Sequence, residues 1–180
     1  MIFTELPLAG AFLVDLERHT DERGFFARSY CAEEFAARGL GPELRQCSVS
    51  YNAHQGTLRG MHYQSAPHEE HKLVRCTAGA VFDVIVDIRA TSPTYRHWFG
   101  AELTAGNHRS LFIPPGFAHG FVSLTDHTEV YYMISVAHAP EASRGFRWND
   151  PAFAIEWPLP PAVISTRDAA YPLLDGPSSA

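Results

Sequence analysis

The sequence predicts an all-β protein built as a barrel or sandwich, and three observations support this. Thirteen glycines and thirteen prolines are spread along the 180 residues and separate short apolar segments. Ten of those segments have the length of a strand and follow one another closely, which is typical of β-sandwiches and barrels. Two Gly-punctuated segments, 56–64 and 113–120, carry one histidine each, His62 and His119. Because these segments lie far apart in the chain, only a folded sheet can bring both histidines into one cavity.

The predicted elements follow the apolar segments from the N-terminus onwards. The strand candidates are residues 11–16, 25–30, 44–51, 57–64, 71–78, 80–89, 97–103, 110–113, 120–124 and 129–136. Residues 32–38 predict a short surface helix, with Gly39 as its C-terminal cap. The segment from Pro158 is rich in proline, and the tail from about residue 175 is expected to be disordered.

Segment 80–89 shows clear strand alternation, in which neighbouring side chains point to opposite faces. One face carries apolar side chains only, namely Phe82, Val84, Val86 and Ile88. The other face mixes acidic and aliphatic side chains, namely Val81, Asp83, Ile85 and Asp87. The apolar face predicts core. The two aspartates either line a wet cavity or are solvated or paired in a turn, and neither is predicted to be catalytic.

Length and composition predict one domain over residues 1–180, with a substantial core. The hydrophobic fraction of 46% is ordinary for a globular protein. The net charge is −6, and no run of Lys or Arg supplies the basic surface that nucleic acids require. We therefore expect no nucleic-acid partner.

The lack of a recognisable targeting signal and the pattern of cysteines predict a cytoplasmic location. The N-terminus lacks a basic region followed by an apolar one, and nowhere do eighteen apolar residues run together, so no membrane association is expected. The three cysteines, Cys31, Cys47 and Cys76, are odd in number and have no CxxC spacing, which argues against a disulfide framework and a zinc site. They are predicted to be reduced and buried.

Six motifs in order resemble the dTDP-4-dehydrorhamnose 3,5-epimerase family, and together they cover almost the whole chain. They are residues 21–26 (DERGFF), 58–64 (LRGMHYQ), 72–75 (KLVR), 82–84 (FDV), 113–121 (IPPGFAHGF) and 148–151 (WNDP). The resemblance implies a cupin-type double-stranded β-helix, or jelly-roll barrel, with a few short helices. It further implies a homodimer that epimerises a 4-keto-6-deoxy sugar on a nucleoside diphosphate without a metal or organic cofactor.

Epimerisation next to a ketone needs a base, an acid and a partner for the enolate oxygen. Histidine suits the base, because its pKa of ~6.5 leaves the neutral form available at pH 7. The resemblance assigns the base to His62, its orientation to Asp168, the proton donor to Tyr132 and enolate stabilisation to Lys72. The assignment of Asp168 predicts that the tail folds back over the barrel mouth. Taken alone, Asp168 would be a helix N-cap or turn residue.

The resemblance implies that nine side chains bind the substrate. They are Arg23, Phe26, Arg28, Gln46, Ser48, Arg59, His119, His138 and Arg167. Arg23 and Arg167 match positions that contact the diphosphate, for which planar guanidinium groups are well shaped. A turn-capping role for His119, after the Pro-Pro-Gly segment, remains the alternative from the residues alone.

The chain departs from the family pattern at four positions. The family commonly has Glu where this chain has Arg28, Asn where it has Ser48, an aromatic residue where it has His138, and Glu near Ser143. These positions concern nucleotide recognition, and replacing a carboxylate by Arg28 reverses the sign of a contact. The chemistry is therefore expected to be retained, while the nucleobase and the deoxysugar are open.

Two other functions are compatible with parts of the pattern. A metal-dependent cupin, such as a dioxygenase or sugar isomerase, would use His62, His119 and either Glu69 or Glu70 to bind Fe or Mn. Against it, Gln64 occupies the second position of the usual His-x-His pair.

A non-catalytic sugar-nucleotide-binding cupin would keep Arg23, Arg59 and Arg167 without an acid and a base. The presence of both His62 and Tyr132 argues against it.

Overall fold

A computed structural model describes residues 1–40 and 43–174, and the structural statements below refer to these. The chain forms fourteen strands and two α-helices. In chain order they are β1 (Ile2–Glu5), β2 (Phe12–Asp15), β3 (His19–Asp21), β4 (Gly24–Phe26), α1 (Ala32–Ala36), β5 (Gln46–Asn52), β6 (Thr57–Gln64), β7 (Lys72–Ala78), β8 (Ala80–Asp87), β9 (Trp98–Thr104), β10 (Ser110–Ile113), β11 (Phe117–Ser123), β12 (Thr128–Ile134), β13 (Ser143–Gly145), β14 (Val163–Ile164) and α2 (Thr166–Ala170).

Two six-stranded sheets make up the body of the fold. The first sheet has the order β1-β2-β10-β7-β12-β5, and the second has the order β13-β6-β11-β8-β9 with β14 added alongside β6. All pairs within the sheets are antiparallel except β14 with β6. Strands β3 and β4 form a separate hairpin. The all-β prediction is confirmed.

The main core lies between the two sheets. Val74 and Cys76 of β7 contribute to it from the first sheet, and Val81 and Ile85 of β8 contribute from the second. All four side chains are fully buried. The mixed face of segment 80–89 therefore points inward, and its aliphatic members supply core as much as its apolar face does.

The apolar face of β8 is covered by the C-terminal part of the chain. Val84 and Val86 pack with Phe146 and Phe153, with Trp157 against the edge of this cluster. Deep burial of these aromatic rings stabilises the packing of the tail on the second sheet. The chain then continues into β14, which pairs with β6, and into α2, which carries Asp168.

The predicted elements match the observed ones closely but not everywhere. Each of the ten strand candidates overlaps an observed strand, and 57–64 and 110–113 are correct at both ends. Candidate 25–30 is wrong beyond Phe26, where β4 ends. Candidate 120–124 starts too late, because β11 begins at Phe117. Strands β1, β3, β13 and β14 were not predicted, since two to four residues give too few alternations to register as a pattern.

The helix prediction of 32–38 is right in place and slightly too long, because α1 ends at Ala36. Gly39 follows it with a φ of +70°, the left-handed conformation expected of a glycine after a helix. The prediction of a disordered tail from about residue 175 lies outside the described residues. Within the described residues, no helix has the length and apolarity required to span a membrane.

The three cysteines are free thiols, but their predicted burial is wrong in part. Cys76 is buried inside the barrel, where loss of water contact raises the pKa of its thiol to about 11. Cys31 is half-buried, and Cys47 is exposed on the outer face of the first sheet. Cys47 points outward because it precedes the inward-facing Ser48 on β5.

Candidate active site

The two motif histidines lie opposite each other on neighbouring strands. His62 on β6 and His119 on β11 are register partners, and both line one cavity of about 860 Å³. His119 lies inside a strand, so the alternative of a turn-capping role for it is wrong. The cavity brings together ten of the thirteen predicted site residues. They are Gln46, Ser48, Arg59, His62, Lys72, His119, Tyr132, His138, Arg167 and Asp168.

An irregularity in the pairing of β6 with β11 lies next to Asp168. The register shifts between His119 and Phe121, where Gly60 and Gly120 face each other. Gly60 has a φ of +148°, and a Cβ atom there would lie 2.7 Å from the Gly120 Cα. Only glycine fits this backbone without strain. The Gly60 N–H donates to Asp168 Oδ2 at 3.2 Å.

The tail carboxylate completes a His–Asp pair. Asp168 Oδ1 lies 2.9 Å from His62 Nε2, and the Asp168 side chain is only 7% exposed. Asp168 sits in the first turn of α2, whose N-cap is Ser165, so the N-cap alternative for Asp168 is wrong. The prediction that the tail folds back over the barrel mouth is confirmed.

The electrostatics of this pair determine which ring nitrogen is free. Burial favours the neutral form of Asp168, but hydrogen bonds from His62 and the Gly60 N–H outweigh it and lower the pKa of this carboxyl below its ordinary value. An ionised carboxylate only accepts hydrogen bonds, so His62 donates its Nε2–H. The neutral ring then carries its lone pair on Nδ1, which leaves Nδ1 as the basic atom.

Tyr132 reaches the same cavity from the other sheet. It lies on β12 and points inward, whereas Tyr131 points outward and contacts Cys47. Burial, with a further contribution from the Asp83 charge, raises the pKa of the Tyr132 phenol. Its hydroxyl has no hydrogen-bond partner among residues 1–40 and 43–174. The phenol therefore keeps its proton and has a free O–H.

A second His–Asp pair lies deeper in the barrel, and it was not expected from the sequence. Asp83 Oδ1 is 2.8 Å from His119 Nε2, and the carboxylate is fully buried. Its second oxygen, Oδ2, has no partner among the described residues. The His119 ring stands edge-on to Tyr132 at 6.0 Å between centroids. The one sequence feature that points to this pair is Asp83, an acidic residue at an inward-facing position of β8.

Asp87, the other inward acid of β8, has a structural role. Its carboxylate accepts hydrogen bonds from Arg89, Ser92 and Thr94 at the opposite end of the strand. Burial alone would raise its pKa, but these donors together lower the pKa of Asp87 to about 2. The turn-paired alternative for this aspartate is correct.

Cationic side chains at the cavity wall are held by hydrogen bonds. Lys72 Nζ lies 2.7 Å from Glu70 Oε1 inside the cavity. Arg59 donates from Nε to Asn52 Oδ1 at 2.8 Å and from Nη2 to the carbonyl of Tyr51 at 3.2 Å. Both are therefore fixed in orientation.

The rim of the cavity carries the residues expected to bind the nucleotide. Arg167 donates from Nη2 to Ser143 Oγ at 2.8 Å and from Nε to the Tyr171 hydroxyl at 2.7 Å. His138 donates its backbone N–H to Gln46 Oε1 at 3.3 Å. Ser48 also lines the cavity and is the register partner of Tyr132 on the neighbouring strand. Three of the four departures from the family pattern, Ser48, His138 and Ser143, thus line the same cavity.

Three predicted binding residues do not line the cavity of their own chain. Arg23 pairs with Asp21 within the β3–β4 hairpin, and Phe26 is 76% exposed. Arg28 follows the hairpin and pairs with Glu34 at 3.2 Å. Their contact with substrate stays a prediction.

The metal-site alternative has no matching geometry. Within the described ranges, no three His, Cys, Asp or Glu side chains form a group suited to hold an ion. Of the proposed ligands, His62 directs Nε2 to Asp168 of the tail and His119 directs Nε2 to Asp83 of the second sheet. Glu70 is paired with Lys72.

Comparison with known proteins decides the family. The profile of the dTDP-4-dehydrorhamnose 3,5-epimerase family matches residues 5–176. The chain belongs to this family. It is 40% identical to the dTDP-4-dehydrorhamnose 3,5-epimerase of Salmonella typhimurium over 177 residues, which cover 97% of this chain and 96% of the relative.

Solved structures are similar to this chain over nearly its whole length. The crystal structure of the enzyme from Bacillus anthracis, with TDP and PPi bound, has a TM-score of 0.93 and 40% identity, and the match covers 96% of this chain and 99% of that one. A 3′-monoepimerase from Streptomyces bikiniensis in complex with dTDP-quinovose has a TM-score of 0.84 and 32% identity, covering 93% and 85%. The predictions of a cupin-type jelly-roll fold and of a sugar-nucleotide epimerase are confirmed.

Proposed function

We propose that this chain epimerises C3, C5 or both carbons of a dTDP-linked 4-keto-6-deoxy sugar, in deoxysugar or surface-polysaccharide biosynthesis. One observation carries the proposal. His62 lies on β6 of the second sheet and Tyr132 on β12 of the first, and both line one cavity. A base and an acid on opposite walls are what inversion of a carbon requires.

The first step is removal of a proton from a carbon next to the C4 ketone. His62 Nδ1 takes this proton, and the electron pair of the broken C–H bond moves to the C4 oxygen, which becomes an enolate oxygen. Asp168 stabilises the imidazolium that forms and keeps its orientation. The ammonium of Lys72, whose side chain is 12% exposed, stabilises the negative oxygen.

The second step returns a proton to the same carbon from the opposite face. Tyr132 donates its O–H proton to that carbon, the ketone re-forms, and the configuration is inverted. The raised pKa of Tyr132 keeps the phenol protonated until an enolate stands over it. The phenolate then regains a proton from solvent, and His62 loses its proton to solvent. The sugar keeps its composition, with one hydrogen exchanged for a solvent hydrogen.

The relatives support the nucleotide part of the substrate. The solved structures hold TDP in one case and a dTDP-sugar in the other. In this chain the matching rim carries Ser48, His138 and Ser143 beside Arg167. His138 offers a ring that stacks on a base, and Arg167 offers a guanidinium already held by two hydroxyls. We propose thymidine diphosphate as the carrier and use other bases as comparisons in the test.

We further propose a homodimer that acts in the cytoplasm. Three of the large hydrophobic residues that are exposed on one chain are Phe26 on the β3–β4 hairpin, at 76%, and Val49 and Tyr51 on edge strand β5, at 57% and 55%. A second copy that covers them would bring Arg23 and Arg28 of its hairpin to the rim of the cavity. The free thiols suit a reducing compartment. Light scattering coupled to size-exclusion chromatography tests the dimer, and a monomer at micromolar concentration contradicts it.

Hydrogen exchange with solvent tests the proposed reaction. The protein is incubated in D₂O with 4-keto-6-deoxyglucose linked to dTDP, UDP or GDP, and deuterium at C3 and C5 is measured by NMR. We expect incorporation with the dTDP sugar, at one carbon for a monoepimerase and at both for a 3,5-epimerase. Binding without exchange on any of the three carriers would favour the non-catalytic binding protein instead.

A further inference from the structure

The cavity contains an ion pair whose acidic member the mechanism above does not use. Lys72 is the single lysine among the 180 residues. Its side chain is 12% exposed, and that of its partner Glu70 is 11% exposed, with 2.7 Å between Nζ and Oε1. Lysine is among the residues least often buried, and a buried ammonium needs a partner. The pair is therefore a specific feature of this cavity.

Glu70 is itself held by a hydrogen-bonded side chain. Gln64 donates from Nε2 to Glu70 Oε2 at 3.3 Å. Gln64 is anchored in turn, because its Oε1 accepts the Ala139 N–H at 2.7 Å and its Nε2 donates to the His68 carbonyl at 2.9 Å. The backbone thus fixes Gln64, Gln64 fixes the carboxylate, and the carboxylate fixes the ammonium.

We infer that Glu70 is a positioning residue for the reaction, which holds the Lys72 ammonium against the cavity wall. The inference rests on the proposed function, in which Lys72 faces the enolate oxygen. A lysine side chain has a flexible four-carbon stem, so a free ammonium would have to be ordered in each catalytic cycle. A carboxylate that orders it beforehand removes that cost from the reaction.

The carboxylate also balances the charge of the ammonium while the cavity is empty. Removing one member of a buried ion pair leaves the other charge without compensation, which is strongly unfavourable. Glu70→Gln keeps the size of the side chain but removes the negative charge, and its single amide oxygen can accept from Gln64 or from Lys72 but not from both. Glu69→Gln is the matched control, because Glu69 carries the same charge one position earlier and does not line the cavity.

NMR of the single lysine tests the positioning directly, without any substrate. In protein labelled with ¹⁵N-lysine, the only side-chain ammonium signal comes from Lys72. We expect a signal protected from exchange with water in the wild type and in Glu69→Gln, and its loss in Glu70→Gln. An ammonium signal that is equally protected in Glu70→Gln overturns the inference. Melting temperatures of the three proteins show whether each is folded.

Kinetics then test whether the positioning matters for the reaction. We expect Glu70→Gln to lower kcat for deuterium exchange about 10- to 100-fold, with the affinity for dTDP unchanged. In a Lys72→Met background, the same Glu70→Gln change should not lower kcat further, because there is no ammonium left to position. If Glu70→Gln lowers kcat as much in the Lys72→Met background as in the wild type, the inference is overturned, because Glu70 then acts independently of Lys72.

Two further outcomes are decided by the same set of proteins. If Glu70→Gln does not fold, Glu70→Asp replaces it. Its carboxylate is one methylene shorter, so both the protection and kcat should fall, and wild-type values in both overturn the inference. If the wild type exchanges no sugar nucleotide, the proposed function fails, while the NMR comparison still decides the role of Glu70.

Discussion

Replacing Asp168 by Asn tests the His–Asp pair at the level of single hydrogen bonds. The carboxylate accepts two of them, from His62 Nε2 at 2.9 Å and from the Gly60 N–H at 3.2 Å. An amide has one oxygen and one NH₂ group, so it can accept from only one of these two donors through its oxygen. The Gly60 N–H is always a donor, whereas His62 can move its proton to the other nitrogen.

The amide oxygen introduced by Asp168→Asn should therefore face Gly60, and the new NH₂ group should face His62. His62 then accepts at Nε2 and carries its proton on Nδ1, the atom that has to act as the base. The loss of one charge-assisted hydrogen bond costs about 1.5–3 kcal/mol, or about 10- to 150-fold in rate. Complete loss of the general base costs about 10²- to 10⁴-fold. We expect kcat to fall between about 10²- and 10⁴-fold.

The assay is deuterium exchange into the sugar nucleotide, with dTDP affinity measured by calorimetry on the same protein. The Asp168 side chain is 7% exposed and its carboxylate is held by His62 and the Gly60 N–H, so the affinity should be unchanged. Asp150→Asn is the matched control. Its buried carboxylate anchors the tail by accepting the Leu174 and Ala152 N–H groups, and it does not line the cavity. Equal losses in both variants would show that tail order, and not the tautomer of His62, sets the rate.

Three further predictions concern the backbone, acid stability and metals. Gly60→Ala should destabilise the fold by about 2–4 kcal/mol in urea unfolding, because its Cβ would lie 2.7 Å from the Gly120 Cα at a φ of +148°; a change within about 0.5 kcal/mol would refute the close approach. The Asp87 carboxyl has a pKa of about 2 in the folded chain, below its ordinary value of 3.8, so its contribution of about 2 kcal/mol is present above pH 4 and lost as the pH falls towards 2. Between pH 4 and pH 2, the free energy of unfolding of Asp87→Asn should fall less than that of the wild type. If the two proteins gave parallel curves of unfolding free energy against pH, the lowered pKa of Asp87 would be disproved. Treatment with a chelator should leave deuterium exchange unchanged, whereas a loss restored by Fe or Mn would support the metal-dependent alternative.

Much of the fold and of the site could be predicted because the signals are local or carried by motifs. Turn residues mark the bounds of 57–64 and 110–113, because Gly56 precedes the first strand and Pro114 follows the second. The resemblance places Asp168 next to His62, although 106 residues separate them. The parts that were missed depend on partners distant in sequence. From the sequence, Asp83 cannot be distinguished from other inward-facing acidic residues, because only the fold brings its partner His119 next to it.

Other differences arise where the sequence pattern is short or the partner is absent. Strands β13 and β14 have three and two residues and are defined by pairing with β6 alone. The predicted binding residues Arg23, Phe26 and Arg28 are on or next to a hairpin that lies away from the cavity of its own chain. A motif predicts such residues for the site but carries no information on which copy of the chain would supply them.

The stereochemistry of exchange in Tyr132→Phe shows whether the base and the acid act from opposite walls of one cavity. This variant keeps His62 and Asp168 but has no proton to donate from the first sheet. After incubation of the dTDP-linked keto sugar in D₂O, we expect deuterium at the exchanging carbon with the original configuration, because only His62 can return the deuteron. An inverted product formed at the wild-type rate would contradict the proposed mechanism, since the second proton would then come from another group.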